Sequence, residues 1–189
     1  MIIEEITNVK ILRVSRNSVI FTHKTHIWCT LPYPNHRNGC PNYNKNPLCP
    51  PNTRIFEDQL ENYNYFYLIY AIFNIFEYKT YMLKKHPDWS DRKARCLLYW
   101  QKSIKKLLKK YIQDIYLNNN DYSFYLFSSG SGGEIDNIKQ EKIYSMEAAG
   151  INVIQTLINN GIEIEVKPIK IIHIVNLMCS DKELKLIKH

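Results

Sequence analysis

Two kinds of apolar pattern alternate along the chain, and one long stretch shows neither. Residues 9–14 (Val-Lys-Ile-Leu-Arg-Val) and 18–22 (Ser-Val-Ile-Phe-Thr) are short β-like runs with Arg16-Asn17 between them, which predicts a hairpin. Residues 63–73 are aromatic and aliphatic almost without interruption, as expected of a central strand buried on both faces. Residues 75–85 take up a helical rhythm that stops near Pro87. Ser90 and Asp91 then cap a long helix over 90–117, whose stripe of Leu97, Trp100, Ile104, Leu107, Leu108, Tyr111, Ile112 and Ile115 follows helical spacing. Asn118-Asn119-Asn120-Asp121 ends that helix, and 122–127 returns to a strand pattern. Residues 146–159 predict another helix, stopped by Asn160-Gly161, with closing strands at 162–166 and 171–177.

Residues 23–52 break both rhythms. They hold Pro32, Pro34, Pro41, Pro47, Pro50 and Pro51, and a loop of this length in a compact domain needs something to organise it. Strands alternating with helices give an α/β class: one domain over residues 1–189, with a mixed, partly parallel sheet, flanking helices and the Pro-rich cysteine loop laid over one end. A chain of 189 residues supports one core comfortably and a second only with difficulty.

Composition adds a direction. With 45% hydrophobic and 23% charged residues the chain is globular rather than disordered. Its formal net charge of +7 and pI near 9.1 favour a polyanionic partner, nucleotide or nucleic acid first. Residues 84–110 contain ten Lys or Arg against Asp88 and Asp91 alone, so this one segment carries the whole excess. Lys102, Lys105, Lys106 and Lys109 lie opposite the apolar stripe, as a phosphate-contacting surface or a simply solvated face. No stretch reaches the roughly 18 apolar residues of a membrane span. Met1-Ile2-Ile3-Glu4-Glu5 carries acid where a secretory leader needs base, so a cytoplasmic location is expected. Nothing in the pattern sets an oligomeric state.

Three of the five cysteines fall inside the irregular stretch, as Cys29-x10-Cys40-Pro-x7-Cys49-Pro-Pro. Clustered thiols in a reducing compartment point to metal ligation or catalysis before disulfides. Thiolates are the soft donors that iron–sulfur clusters and zinc select. Two metal readings stay open. Cys29, Cys40 and Cys49 hold three irons of a [4Fe-4S] cluster, leaving the fourth for an outside ligand or a substrate atom. Alternatively the three join His36 or His26 around zinc. The absence of a Cys-x-x-Cys pair favours the cluster. The remaining reading is incidental thiols in an irregular loop. Cys96 is either a small core residue or a fourth thiolate, and Cys179 reads as an inert core residue.

Gly39-Cys40-Pro41-Asn42-Tyr43 through Cys49-Pro50-Pro51 resembles the Cys-Pro-x-Tyr…Cys-Pro-Pro signature of a family of bacterial, archaeal and phage proteins described as predicted metal-binding. Ser145-Met146-Glu147-Ala148-Ala149-Gly150-Ile151-Asn152-Val153 is similar to that family's second block, and Tyr99-Trp100-Gln101-Lys102-Ser103 to a further block of a phage-associated branch. The resemblance implies metal binding and the fold rather than a reaction. Many relatives carry additional cysteines before the second block, and this chain has none there, so the resemblance does not extend to a second cluster.

Other polar groups supply candidate chemistry. Arg92, Arg95 and Tyr99 fall at three- and four-residue steps beside Trp89 and Trp100, a face suited to an anionic or heteroaromatic substrate. Glu147 reads as a general acid or base, or as a favourable charge at a helix start. Ser128-Ser129-Gly130-Ser131-Gly132-Gly133 lacks the Gly-Lys-Ser/Thr that would make it a phosphate loop. No serine triad, paired-carboxylate motif or dinucleotide fingerprint appears. The expectation is a cluster-bearing enzyme that transfers or removes sulfur on a nucleotide or nucleic acid, with Glu147, Arg95 and Tyr99 at the chemistry. The alternative is a non-catalytic module, stabilised by zinc or a cluster, that binds nucleic acid or a partner protein.

Overall fold

The computed structural model describes residues 3–32, 36–130, 138, 140 and 142–186. In chain order its elements are β1 (Thr7–Val14), α1 (Lys24–Trp28), β2 (Tyr65–Asn74), α2 (Ile75–Lys85), α3 (Asp91–Ala94), α4 (Gln101–Asn118), β3 (Phe124–Ser128), β4 (Tyr144–Ser145), α5 (Val153–Asn159) and β5 (Ile171–Ser180). The strands form one five-stranded sheet in the order β1-β2-β5-β3-β4. Only β3 and β4 run parallel; the other neighbours are antiparallel, with Thr7 opposite Phe73 and Tyr65 opposite Ser180. The chain is thus a single α/β domain with a mixed sheet.

Side chains alternate across a strand, so the unbroken apolar run of β2 must feed two cores. Tyr67, Ile69, Ala71 and Phe73 face one layer, where Ile104, Leu108, Ile112 and Ile115 of α4 cover them. Phe66, Leu68 and Tyr70 face the other, packed with Val175, Leu177, Met146, Ile151 and Leu157. Among the described residues, no helix is long and apolar enough to cross a membrane.

Four expected elements differ. The hairpin over 9–22 does not form: Ser15 caps a short 3-10 turn at Arg16–Ser18, β1 pairs with β2, and Phe21 bridges to Ile151. Tight two-residue hairpin turns need left-handed backbone, and Arg16-Asn17 adopts none. The helix over 90–117 is broken. After α3, Cys96 is extended (φ −61°, ψ 125°), Leu97–Tyr99 form a 3-10 turn, and α4 begins at Gln101. The cause is Trp100, which is buried against Phe73 (ring centroids 5.0 Å apart) and donates its indole N–H to the Arg95 carbonyl at 3.2 Å. Leu97, first in the expected stripe, is 51% exposed.

The helix over 146–159 is cut to α5. Gly150 turns left-handed (φ 90°) and the Asn152 side chain accepts from the Gln155 N–H to start the helix afresh. Residues 162–166 make no strand, because both neighbours of β5 are already β2 and β3. Glu165 there accepts hydrogen bonds from the backbone N–H groups of Ile169, Lys170 and Ile171.

Candidate metal centre

The cysteine loop is anchored by backbone groups at both shoulders to the turn that follows β4. Thr22 donates its N–H to the Gly150 carbonyl at 2.8 Å, Phe56 to Ala149 at 3.0 Å, and the His26 Nε2 lies 2.8 Å from the Ala148 carbonyl. Gly150 permits this closeness, since a Cβ there would run into the Ile55 side chain. Residues 148–150 are therefore the dock on which the loop sits.

Within the loop, Cys29 ends α1 and is half-buried. Gly39, left-handed at φ 81°, presses against the Cys29 carbonyl and Thr30 backbone where any Cβ would collide, and Cys40 then donates its N–H to that same carbonyl at 2.7 Å. Past Cys40 the chain turns at Tyr43 and Asn44 (φ 56°), and the Asn44 N–H meets the Pro50 carbonyl at 2.8 Å, closing a small ring that contains Cys49. Asn46 shapes this ring by accepting the Leu48 N–H on its side chain and the Cys49 N–H on its carbonyl. Three cysteines spread over 21 positions are so brought into one neighbourhood.

Electrostatics report the same proximity. Burial pushes the Cys29 thiol up, and Cys40, Cys49 and Glu147 push it further. Cys49 is raised by burial and then by Cys40. Charge gathered this way is what a cation relieves, and soft thiolate donors fit an iron–sulfur cluster or zinc. As the side chains stand, no group of three or more His, Cys, Asp or Glu among the described residues is arranged to hold a metal ion. The donor chemistry fits such a group; the described thiol positions are gathered by the backbone without converging on a common centre.

None of the other expected donors completes a metal-holding group with these thiols among the described residues. Cys96 sits half-buried in the extended link before the 3-10 turn and is not among the groups whose charge acts on Cys29 or Cys49. Cys179 is fully buried in β5 and its thiol is raised well above the ordinary value. The Nε2 of His26 is engaged on the dock, and His36 is exposed.

Glu147 lies at the boundary between the thiols and a cavity of about 300 Å³. It does not open a helix, since α5 starts only at Val153, so the helix-dipole reading does not hold. Burial pushes its carboxyl up, while its own backbone N–H, Lys105 and Ser145 pull partly back. Trp100, just before α4, and Gln101 and Lys105 within it line the cavity, and Leu157 and Ile174 supply apolar wall. His173 lies at the cavity too, its pKa lowered by burial against an opposing pull from Glu165. Lys105, expected on the outer face with Lys102 and Lys106, instead turns toward Gly130 and this cavity. Lys102 and Lys106 are exposed; Lys109 is half-buried and has a partner. Arg92 and Tyr99 are exposed and Arg95 half-buried, and the break at Cys96 separates the two arginines from the helical register of Tyr99. Ser131, Gly132 and Gly133 lie outside the described residues.

A family model described as "Predicted metal-binding protein (DUF2284)" matches residues 14–178. The chain belongs to this family. The matched span contains all three loop cysteines, Cys96 and the dock at 148–150. Neither the curated proteins nor the solved structures give a significant match. In this member of the family, sequence reasoning missed the dock and the cavity. Gly150 and Gly39 were the available signals, because each marks a place where backbone approaches backbone or a packed side chain.

Proposed function

We propose that this protein is an iron–sulfur enzyme that removes or transfers sulfur on a nucleotide-class substrate, with Cys29, Cys40 and Cys49 holding a [4Fe-4S] cluster. The observation that carries the proposal is the double position of Glu147. It lines the cavity and lies close enough to Cys29 to raise its thiol, which supports a reading in which a metal on the thiols and a molecule in the cavity share one site. When bound, the cluster supplies a thiophilic iron site and a store of electrons.

The chain's own residues do the rest. The apolar wall from Leu157 to Ile174 excludes water around a flat heteroaromatic body. Lys105 holds a positive charge at the end of the cavity where Glu147 lies. Desulfuration exchanges a carbon–sulfur bond for a carbon–oxygen bond: water supplies the oxygen and sulfur leaves as hydrogen sulfide, with no net oxidation. A carboxyl raised by burial, as Glu147 is, suits both proton moves, giving its proton to the departing sulfur and taking one from the incoming water.

The test is turnover of a thiolated nucleobase or nucleotide by anaerobically purified protein, with iron and sulfide measured on the same sample. Cys40→Ala is expected to lose colour and turnover together. Glu147→Gln keeps the colour and loses at least a hundredfold in turnover, in the range of a general acid–base group. Colourless protein containing about one zinc per chain would replace this reading with a structural zinc module, and failure of the coloured protein to turn over any thionucleobase would end the sulfur chemistry.

A further inference from the structure

The basic segment that carries the chain's excess charge also holds a preformed aromatic stack outside the cavity. His86 stacks on Trp89 with centroids 4.3 Å apart at 12°, and Tyr99 stacks on the same indole at 5.1 Å and 28°. The Lys93 ammonium sits 4.5 Å from the Trp89 ring centre. Local structure holds the group in place. The Trp89 N–H bonds the His86 carbonyl at 3.0 Å, the Ser90 hydroxyl caps α3 through the Lys93 N–H, and the 3-10 turn at Leu97–Tyr99 brings the tyrosine back to the tryptophan.

Tyr99 keeps 44% of its surface in water and its neighbour Leu98 80%. Lys84, Lys85, Arg92 and Lys93 are exposed around the same segment, and among the described residues no ion pair engages them. Lys79 is paired, with Asp91 at 3.0 Å. Trp100, the residue after Tyr99, turns inward to line the cavity. Successive residues thus belong to the outer stack and to the cavity wall.

We propose that this surface is a platform for single-stranded nucleic acid, on which a base stacks against Tyr99 while Arg92 and Lys93 hold adjacent phosphates. An open aromatic face beside unpaired positive charge is the combination that such strands require, because every base offers a π-face and every linkage a negative charge. A duplex keeps its bases stacked on each other and can use only the charges. An acidic protein would use the charges and gain little from the ring. The proposal rests on the nucleotide-directed reading of the cavity only for what enters there; binding itself stands on the stack and the charge.

The test is fluorescence anisotropy on the full chain as isolated, with labelled oligouridylate, oligothymidylate and a duplex of the same length, over a range of salt. Single strands should bind more tightly than the duplex. Tyr99→Ala should weaken single-strand binding about tenfold with the salt slope unchanged, while Tyr99→Phe retains it. Arg92→Ala with Lys93→Ala should weaken binding and flatten the slope by about 1.4, or about 0.7 for each phosphate contact. Lys10→Glu, an exposed charge change on β1, should reduce it far less than that pair. The proposal is overturned if no oligonucleotide binds, if duplex binds as tightly as single strand, if Tyr99→Ala has no effect, or if Lys10→Glu does equal damage. Iron and sulfide content measured on each variant separates this result from the fate of the cluster. Lost binding with metal intact removes the platform alone, and absent metal with binding intact removes the cluster alone.

Discussion

Gly39 shows how much of the cysteine loop depends on one missing side chain. Its left-handed backbone and its contact with Cys29 and Thr30 leave no room for a Cβ, so Gly39→Ala should cost about 1–3 kcal/mol and move Cys40 away from Cys29. A thermal melt and a metal analysis check this together; an unchanged Tm with full metal content would contradict the packing described. Glu147 makes a pH-dependent prediction. Its folded pKa is raised above the unfolded value, so its contribution favours folding at low pH and is lost as pH rises from about 4.5 through the folded pKa. Metal-free Glu147→Gln should then melt higher than the metal-free wild type at neutral pH, and the gap should close near pH 4.5. His173 has the opposite sign. Its folded pKa lies below 6.5, so an unfolded chain takes the proton first and stability falls as pH drops below about 6.5. His173→Gln should flatten that fall in Tm, and equal slopes for the two proteins would refute its lowered pKa. The cysteines were legible from their spacing and residue type. The contact at Gly39 was not, because it joins backbone ten positions apart in sequence through a loop with no period. Glu147 was legible as a candidate acid or base but not in its place, lining the cavity beside Cys29 in a turn where a helix start was expected.

At the level of elements, strong periodicity translated directly. The run that became β2 and the stretch that became α2 matched closely, since each buries the faces that its pattern specifies. The failures share one physical origin, a tertiary contact that outweighs local pattern. Trp100 packs on Phe73 and draws the chain before it out of helical form, so Leu97 leaves the stripe and α4 starts eleven residues after the Ser90 cap. Trp100→Ala should cost about 3–5 kcal/mol, like other buried aromatic truncations, and should also reshape the cavity that it lines. Denaturant unfolding measures the first, and a loss below 1 kcal/mol would mean the indole is not the anchor described. Asn152 caps α5 next to the dock, so Asn152→Ala should cost about 1 kcal/mol with little effect on metal content, read from the same pair of measurements. The hairpin over 9–22 failed for the same reason: β1 finds an eight-residue partner in β2, and Phe21 leaves to bridge Ile151.

For the whole molecule, the informative feature is that two distant blocks of sequence meet. The cysteine loop and the turn at 145–151 are joined through Thr22, His26 and Phe56, and Glu147 within that turn lines the cavity. A single domain with a mixed sheet was readable from the alternation of elements, whereas the meeting of these blocks required the strand order β1-β2-β5-β3-β4, which no local pattern encodes. The central claim is that the meeting place is a metal centre. It is tested most directly by purifying the protein without oxygen, recording its visible absorption, and measuring iron, sulfide and zinc on the same sample. A brown protein with broad absorption at ~400 nm and matched iron and sulfide, lost in Cys40→Ala, is the expected result. Full-length, folded protein that takes up neither iron nor zinc would contradict it.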